Sequence, residues 1–182
     1  MTITLNDNLI LERIAPYHAP ALFTAVNSNR THLSTFLPWV THMQSVADFE
    51  KYIANVEELY QQKQEVSFVI LHQQQLVGRI GVHYINHQHL CGAIGYWLIK
   101  EAEGRGIISM ATTAIINYAF EQLQLHRLEI KAATTNYRSL AVPKRLGFTH
   151  EGVLRQAEKI NNHFLDLSLF SLLKHEWIKH ST

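Results

Sequence analysis

The apolar positions of the chain recur at two spacings, and these mark out its elements. Leu9–Ile14 reads as a short strand, and Pro16 opens a helix whose Leu22, Phe23 and Val26 share one face before Asn27–Asn29 ends it. Thr31–Phe36 predicts a second short helix, followed by an apolar loop, Phe36–Trp39. Ser45 and Asp48 make a capping-box start for an amphipathic helix carrying Phe49, Tyr52, Ile53, Val56, Leu59 and Tyr60 on one side. Val66–Leu71, Leu76–Ile85 and a strand from Cys91 to Leu98 follow with only short turns between them, which predicts an antiparallel meander. The first of these turns, Gln73–Gln75, has no glycine or asparagine. Gly78 and Gly81 mark bulges or close approaches within the second strand.

The third strand is apolar on both sides, which predicts burial of both faces. It leads into the loop Glu101–Gly106 and then into a helix with Ile107, Ile108, Ala111, Ala114, Ile115 and Tyr118 on one stripe. Two glycines before a helix start allow a tight turn and close approach by a ligand. The unpartnered N–H groups and positive dipole end of the helix suit an anion such as a pyrophosphate. The meander excludes a Rossmann unit, whose glycine loop joins parallel strands, and Ser109 stands where the third fingerprint glycine would be.

Beyond the helix, Arg127–Ala132 alternates into a strand with one apolar face. Asn136 is placed to cap a helix from Tyr137 to Leu146, with Gly147 at its C′ position. Pro143 falls inside that helix and cannot donate to the carbonyl of Ser139, so a gap or kink is expected there. Phe148–Gln156 and Phe164–Leu173 read as two last strands around an Asn161–Asn162 hairpin, and Lys174–Lys179 as a closing helical turn. No linker or repeat interrupts 1–182, so one domain is expected.

Composition narrows the function classes. The chain is 47% hydrophobic and 17% charged, as in a folded globular protein, and its net charge of +1 gives no reason to expect nucleic acid. No apolar run reaches the length of a membrane span, and Met1–Asp7 lacks the basic and apolar regions of a signal peptide. Cys91 is the single cysteine, so no internal disulfide can form, and a reducing, cytoplasmic setting is expected, with the thiol an inert strand residue. His87 and His89 lie in a turn without a neighbouring cysteine or carboxylate, so no metal is expected.

The order of elements resembles the GNAT superfamily of acyl-CoA N-acyltransferases. Its cofactor motif reads Arg or Gln, two residues, Gly, one residue, then Gly or Ala. Here the motif falls on Glu103–Ile108, with Glu103 in the first place and Ile108 in the last. Asn136, Ser139 and the run Lys144-Arg-Leu-Gly-Phe148 match a second and more specific motif. Ile94–Leu98, Gly106–Ser109 and Gln156–Glu158 are similar to the RimL-type branch, the ribosomal-protein-serine acetyltransferases and their relatives.

The resemblance implies an α+β fold, a three-layer α/β/α arrangement around a central mixed, mostly antiparallel, splayed sheet. It implies acetyl-CoA as co-substrate. Backbone groups of Trp97, Leu98 and Ile99 would meet the pantetheine arm. Gly104, Arg105, Gly106, Ile107, Ile108 and Ser109 would hold the pyrophosphate, Asn136 would touch the arm from the other side, and Lys144 or Arg145 would meet a phosphate. Ser139 would donate to the departing thiolate. Glu158 would take the amine proton, directly or through a water, with His83 the other candidate base. His83 and Trp39 are the expected acceptor contacts.

The expected acceptor is the N-terminal α-amine of a protein. At pH 7 about a tenth of such groups are already neutral, against less than about a thousandth of lysines. A small amine such as a polyamine or aminoglycoside, or a catalytically silent acyl-CoA-binding module, are the alternatives. Two-fold assembly into a homodimer is an implication of the resemblance alone.

Overall fold

The computed structural model describes residues 1–180. Its strands are β1 (Thr2–Asn6), β2 (Leu9–Arg13), β3 (Val66–His72), β4 (Gln75–Asn86), β5 (Cys91–Leu98), β6 (Arg127–Ala133), β7 (Thr149–Ile160) and β8 (His163–Leu173). Its helices are α1 (Ala19–Ser28), α2 (Arg30–Leu33), α3 (Val46–Gln61), α4 (Ile107–Glu121), α5 (Tyr137–Arg145) and α6 (Lys174–His180). The strands form one sheet in the order β1-β2-β3-β4-β5-β6-β8-β7, antiparallel throughout except for β5 beside β6. This is the mixed, mostly antiparallel sheet that the family resemblance implies.

Side-chain alternation gives the sheet two different faces. Ile80 and Val82 of β4, Ile94 of β5 and Leu128 and Ile130 of β6 join a core with Ile107, Ala111 and Ile115 of α4 and Leu140 of α5. Phe68 of β3 meets Tyr118 of α4 edge-on at 5.8 Å. On the opposite face Val69 and Trp97 pack with Leu22 and Val26 of α1 and Phe49, Ile53 and Val56 of α3. Helices on both faces give three layers. The α3 cap is as predicted: Ser45 Oγ accepts from the Asp48 amide, and the Asp48 carboxylate accepts from the Ser45 amide at 2.9 Å.

Several details differ from the sequence expectation. Thr2–Asn6 is a strand paired with β2, one more strand than the sequence predicts. The second helix is one turn, Arg30–Leu33, and ends before Thr35. The apolar loop around Trp39 winds into a 3₁₀ turn, Pro38–His42, started by the fixed φ of Pro38. Cys91 opens β5 half-buried rather than enclosed. The β3–β4 turn is left-handed at Gln73 and Gln74 (φ 50° and 65°), so these two take the conformation that asparagine and glycine usually supply. Asn161 and Asn162 do the same in the β7–β8 hairpin (φ 48° and 66°).

The feature that positions the site is the shortness of the parallel pairing. Beta strands 5 and 6 are paired only from Cys91, Gly92 and Ala93 to Arg127, Leu128 and Glu129, and past these they diverge. β5 is held to its other neighbour from Cys91 opposite Asn86 to Leu98 opposite Gly78, with one irregularity between His83 and Asn86. Gly78 makes that possible. A β-carbon there would lie 2.2 Å from the Trp97 carbonyl oxygen, a backbone atom that cannot swing away. Gly78→Ala is therefore expected to force β4 and β5 apart and to cost about 1–3 kcal/mol. Thermal denaturation should show a Tm lower by several degrees; an unchanged Tm would mean that the strands have slack at this point.

Candidate active site

The slot between the diverging strands opens into a cavity of about 900 Å³. Its walls are Tyr96, Trp97 and Leu98 of β5, the Gly104–Ser109 corner with the start of α4, and the loop and first turns of α5 from Thr135 onward. Residues 32–37 and Lys100 close one side.

The glycine corner has the form expected of an anion cradle. Gly104 and Gly106 both have φ +74°, and nothing lies within 4 Å of the place where a β-carbon would sit. Gly106 is the N-cap of α4 and provides no capping side chain. The N–H groups of Ile107, Ile108 and Ser109 find no partner among the described residues, so three donors stand together at a positive helix end. Arg145 reaches this point from α5 and donates to Ser109 Oγ at 2.8 Å. These residues fit a pyrophosphate.

Of the three backbone positions expected to face the arm, only Leu98 turns its groups to the open side of the fork. The Ile99 amide donates to the Val77 carbonyl at 2.9 Å and is thus already engaged with β4. Strand alternation turns the groups of Trp97 the same way and leaves those of Tyr96 and Leu98 on the open side. Two basic residues are also placed differently from the expectation. Lys144 is off the cavity lining and Arg145 is on it, because Arg138, Val142 and Arg145 share the inward stripe of α5 and Lys144 is turned about 100° away from Arg145. Arg105 turns from the cavity toward the β1–β2 turn, where Asn6, Asp7 and His72 surround a smaller hollow of about 250 Å³.

Glu103 stands where the family motif has Arg or Gln. Its carboxylate pairs with the Arg138 guanidinium and with His32 Nε2 at 3.1 Å, so it ties the corner to α5 and α2 across the rim. Burial, with Lys100 and Arg138 nearby, lowers the His32 pKa.

Asn136 caps α5 as predicted: its Oδ1 accepts the Ser139 amide at 3.2 Å. Ser139 lies half-buried on the cavity wall, and its hydroxyl has no partner among the described residues. Tyr96, a lining residue that the sequence reading did not single out, donates its hydroxyl to the Ser139 carbonyl at 3.0 Å. Burial pushes the Tyr96 phenol well above its ordinary pKa, so it remains a donor.

The structure does not bring Glu158, His83 or Trp39 into this cavity. Glu158 stands on β7 opposite Leu165, next in sequence to Asp166, whose carbonyl accepts the Thr134 amide at the start of the loop into α5. It is half-buried, has no ion-pair partner among the described residues, and its pKa is raised by desolvation. His83 lies on the α1/α3 side of the sheet, over Gly95 at the fork: a β-carbon on Gly95 would come within 2.7 Å of His83 Cε1. Desolvation and the nearby Arg79, only partly offset by Glu65, lower the His83 pKa to about 4. Arg79 itself pairs with Glu65 at 2.5 Å, and its buried Nε has no partner among the described residues. Trp39 packs on Trp97 at 6.1 Å between ring centroids, on the same side as His83.

No helix of the described residues is long and apolar enough to cross a membrane. Residues 8–149 match the Acetyltransferase (GNAT) domain family. A putative ribosomal N-acetyltransferase, YdaF, of Bacillus subtilis (strain 168) is 34% identical over 97% of each chain. The ribosomal-protein-serine acetyltransferase of Escherichia coli (strain K12) is 33% identical over 93% of this chain and 95% of its own. The structure of RimL, a ribosomal L7/L12 alpha-N-protein acetyltransferase in complex with coenzyme A, superposes with a TM-score of 0.93 at 27% identity, covering 97% of this chain and 99% of that one.

Proposed function

Since the chain belongs to the GNAT acetyltransferase family and is an acetyltransferase, we propose that it carries an acetyl group from acetyl-CoA to the N-terminal α-amine of a protein, as ribosomal-protein-serine acetyltransferases do. The observation that carries the reading is the fork between β5 and β6, open beside an uncapped α4 start. A pyrophosphate on the N–H groups of 107–109 sends the attached arm along the free edge of Leu98, toward Ser139.

The reaction needs a neutral amine, a polarised thioester and a stable leaving thiolate. Glu158 accepts the amine proton, directly or through a water. Its raised pKa brings it nearer to that of an α-amine, whereas His83 is lowered away from it. The amine nitrogen attacks the thioester carbon, the carbon–sulfur bond breaks, and the Ser139 hydroxyl donates to the sulfur as charge develops there. Asn136 holds Ser139 in place through its cap, and Arg145 adds positive charge at the phosphate end. His83 and Trp39 form the acceptor side, opposite α4. The unit spans 1–182 and works in the cytoplasm, a reading supported by its lone half-buried thiol.

An acceptor panel tests the proposal. Thiol release from acetyl-CoA should be fast with peptides bearing a free N-terminal serine, and slow with N-blocked peptides, spermidine and aminoglycosides. Coenzyme A at about 100 times its Kd should stabilise the protein by about 2.7 kcal/mol, a Tm rise of several degrees. Faster turnover of a polyamine would move the acceptor to a small amine. A Tm rise without turnover on any acceptor would leave a silent acyl-CoA-binding module.

A further inference from the structure

We propose that Tyr96 is a positioning residue for Ser139, acting through the main-chain carbonyl that Pro143 leaves without a helical donor. The inference rests on the reading of Ser139 as the thiolate's hydrogen-bond donor.

In a regular helix the carbonyl of residue 139 accepts from the N–H of residue 143. Proline has no N–H, and its ring crowds the carbonyl four residues back. Pro143 lies inside α5, so residue 143 has no N–H to offer this carbonyl. The Tyr96 hydroxyl takes its place at 3.0 Å. Tyr96 belongs to the diverging part of β5, three residues past Ala93, the last one paired with β6. The bond therefore crosses the fork, from one arm of the slot to the helix that carries the reacting group.

Its effect on Ser139 is specific. The Ser139 N–H is held by Asn136 Oδ1 at 3.2 Å, and its carbonyl by Tyr96. Both peptide planes flanking the Ser139 α-carbon are thus fixed by side chains, which sets the direction of the β-carbon and keeps the hydroxyl on the cavity wall. Neither side chain is in the α5 hydrogen-bond ladder. A proline that looks like a defect in the helix is what makes the carbonyl available to β5.

A double-mutant cycle separates this from a direct role of the phenol. Tyr96→Phe keeps the ring and removes only the hydroxyl. It should lower kcat by about 10- to 100-fold with little change in the KM for acetyl-CoA. Pro143→Ala restores an N–H at residue 143 and should leave kcat near that of the unchanged protein. In the Pro143→Ala background, Tyr96→Phe should then cost less than about threefold. The Tm should follow the same pattern, with Tyr96→Phe lowering it only when Pro143 is present.

An equal loss of kcat in both backgrounds would overturn the inference and make Tyr96 a donor to substrate. Full activity of Tyr96→Phe alone would overturn it as well. If Ser139→Ala leaves kcat intact while the Tm cycle is coupled, the hydrogen bond stands and the catalytic reading of Ser139 is what fails. An uncoupled Tm cycle removes the strut regardless of what Ser139 does.

Discussion

Glu158→Gln is expected to lower kcat by about 10²–10⁴-fold, the range in which a general base contributes, if Glu158 is the base as proposed. Glutamine keeps the shape of the side chain and cannot accept the proton at any working pH. The carboxyl is half-buried without an ion-pair partner among the described residues, and desolvation raises its pKa. In the proposed role the active form is the carboxylate, so the rate of the unchanged enzyme should fall as the pH drops through that raised value; in Glu158→Gln this acid limb should disappear.

Stability should move the opposite way. A carboxyl whose folded pKa is raised binds its proton more tightly in the folded state. Its favourable contribution is present below the unfolded pKa and is lost as the pH rises through the folded one. At neutral pH the Glu158 charge opposes folding, so Glu158→Gln should have an equal or higher Tm. Low activity with an intact or raised Tm is the combined signature. Full activity with an unchanged pH profile would take the base away from Glu158.

Ser139→Ala should lower kcat by about 10²-fold, comparable to the loss of one donor to a developing anion. The Ser139 main chain is engaged by Asn136 and Tyr96, whereas its hydroxyl has no partner among the described residues. Alanine therefore leaves the α5 start and the cavity wall intact. In the proposed role the hydroxyl bonds the sulfur only as negative charge collects there, so the KM for acetyl-CoA should barely change. Steady-state kinetics on the preferred acceptor would show this split. A rise in KM at constant kcat would instead make Ser139 a binding contact in the ground state.

Much of the site was legible because its signals are local. Gly104 and Gly106 before an apolar-striped helix announce a left-handed corner, and Asn136 three residues before Ser139 announces a cap; both are found. Other features depend on helix phase or strand pairing. One residue of phase decides between Lys144 and Arg145 on the cavity wall, and a sequence motif that includes both cannot make the choice. The inward backbone of Leu98, as against Ile99, depends on which groups β4 has already engaged. The sequence does show that Pro143 withholds a donor from Ser139. It does not show that the replacement comes from Tyr96, a residue 43 positions earlier on a strand that joins α5 only through the fold. Thr2–Asn6 carries its own alternation, but five residues ahead of the first apolar run give a strand only once β2 pairs with them.

The fork between β5 and β6 also bears on how quickly the protein can be reused. Its opening is written into the ladder, three paired residues and then divergence, with β5 held fast on its other edge. A fresh donor molecule finds the aperture already formed and need not prise two strands apart. The ordering entropy of the slot is met once, when the chain folds, and not again at each turnover.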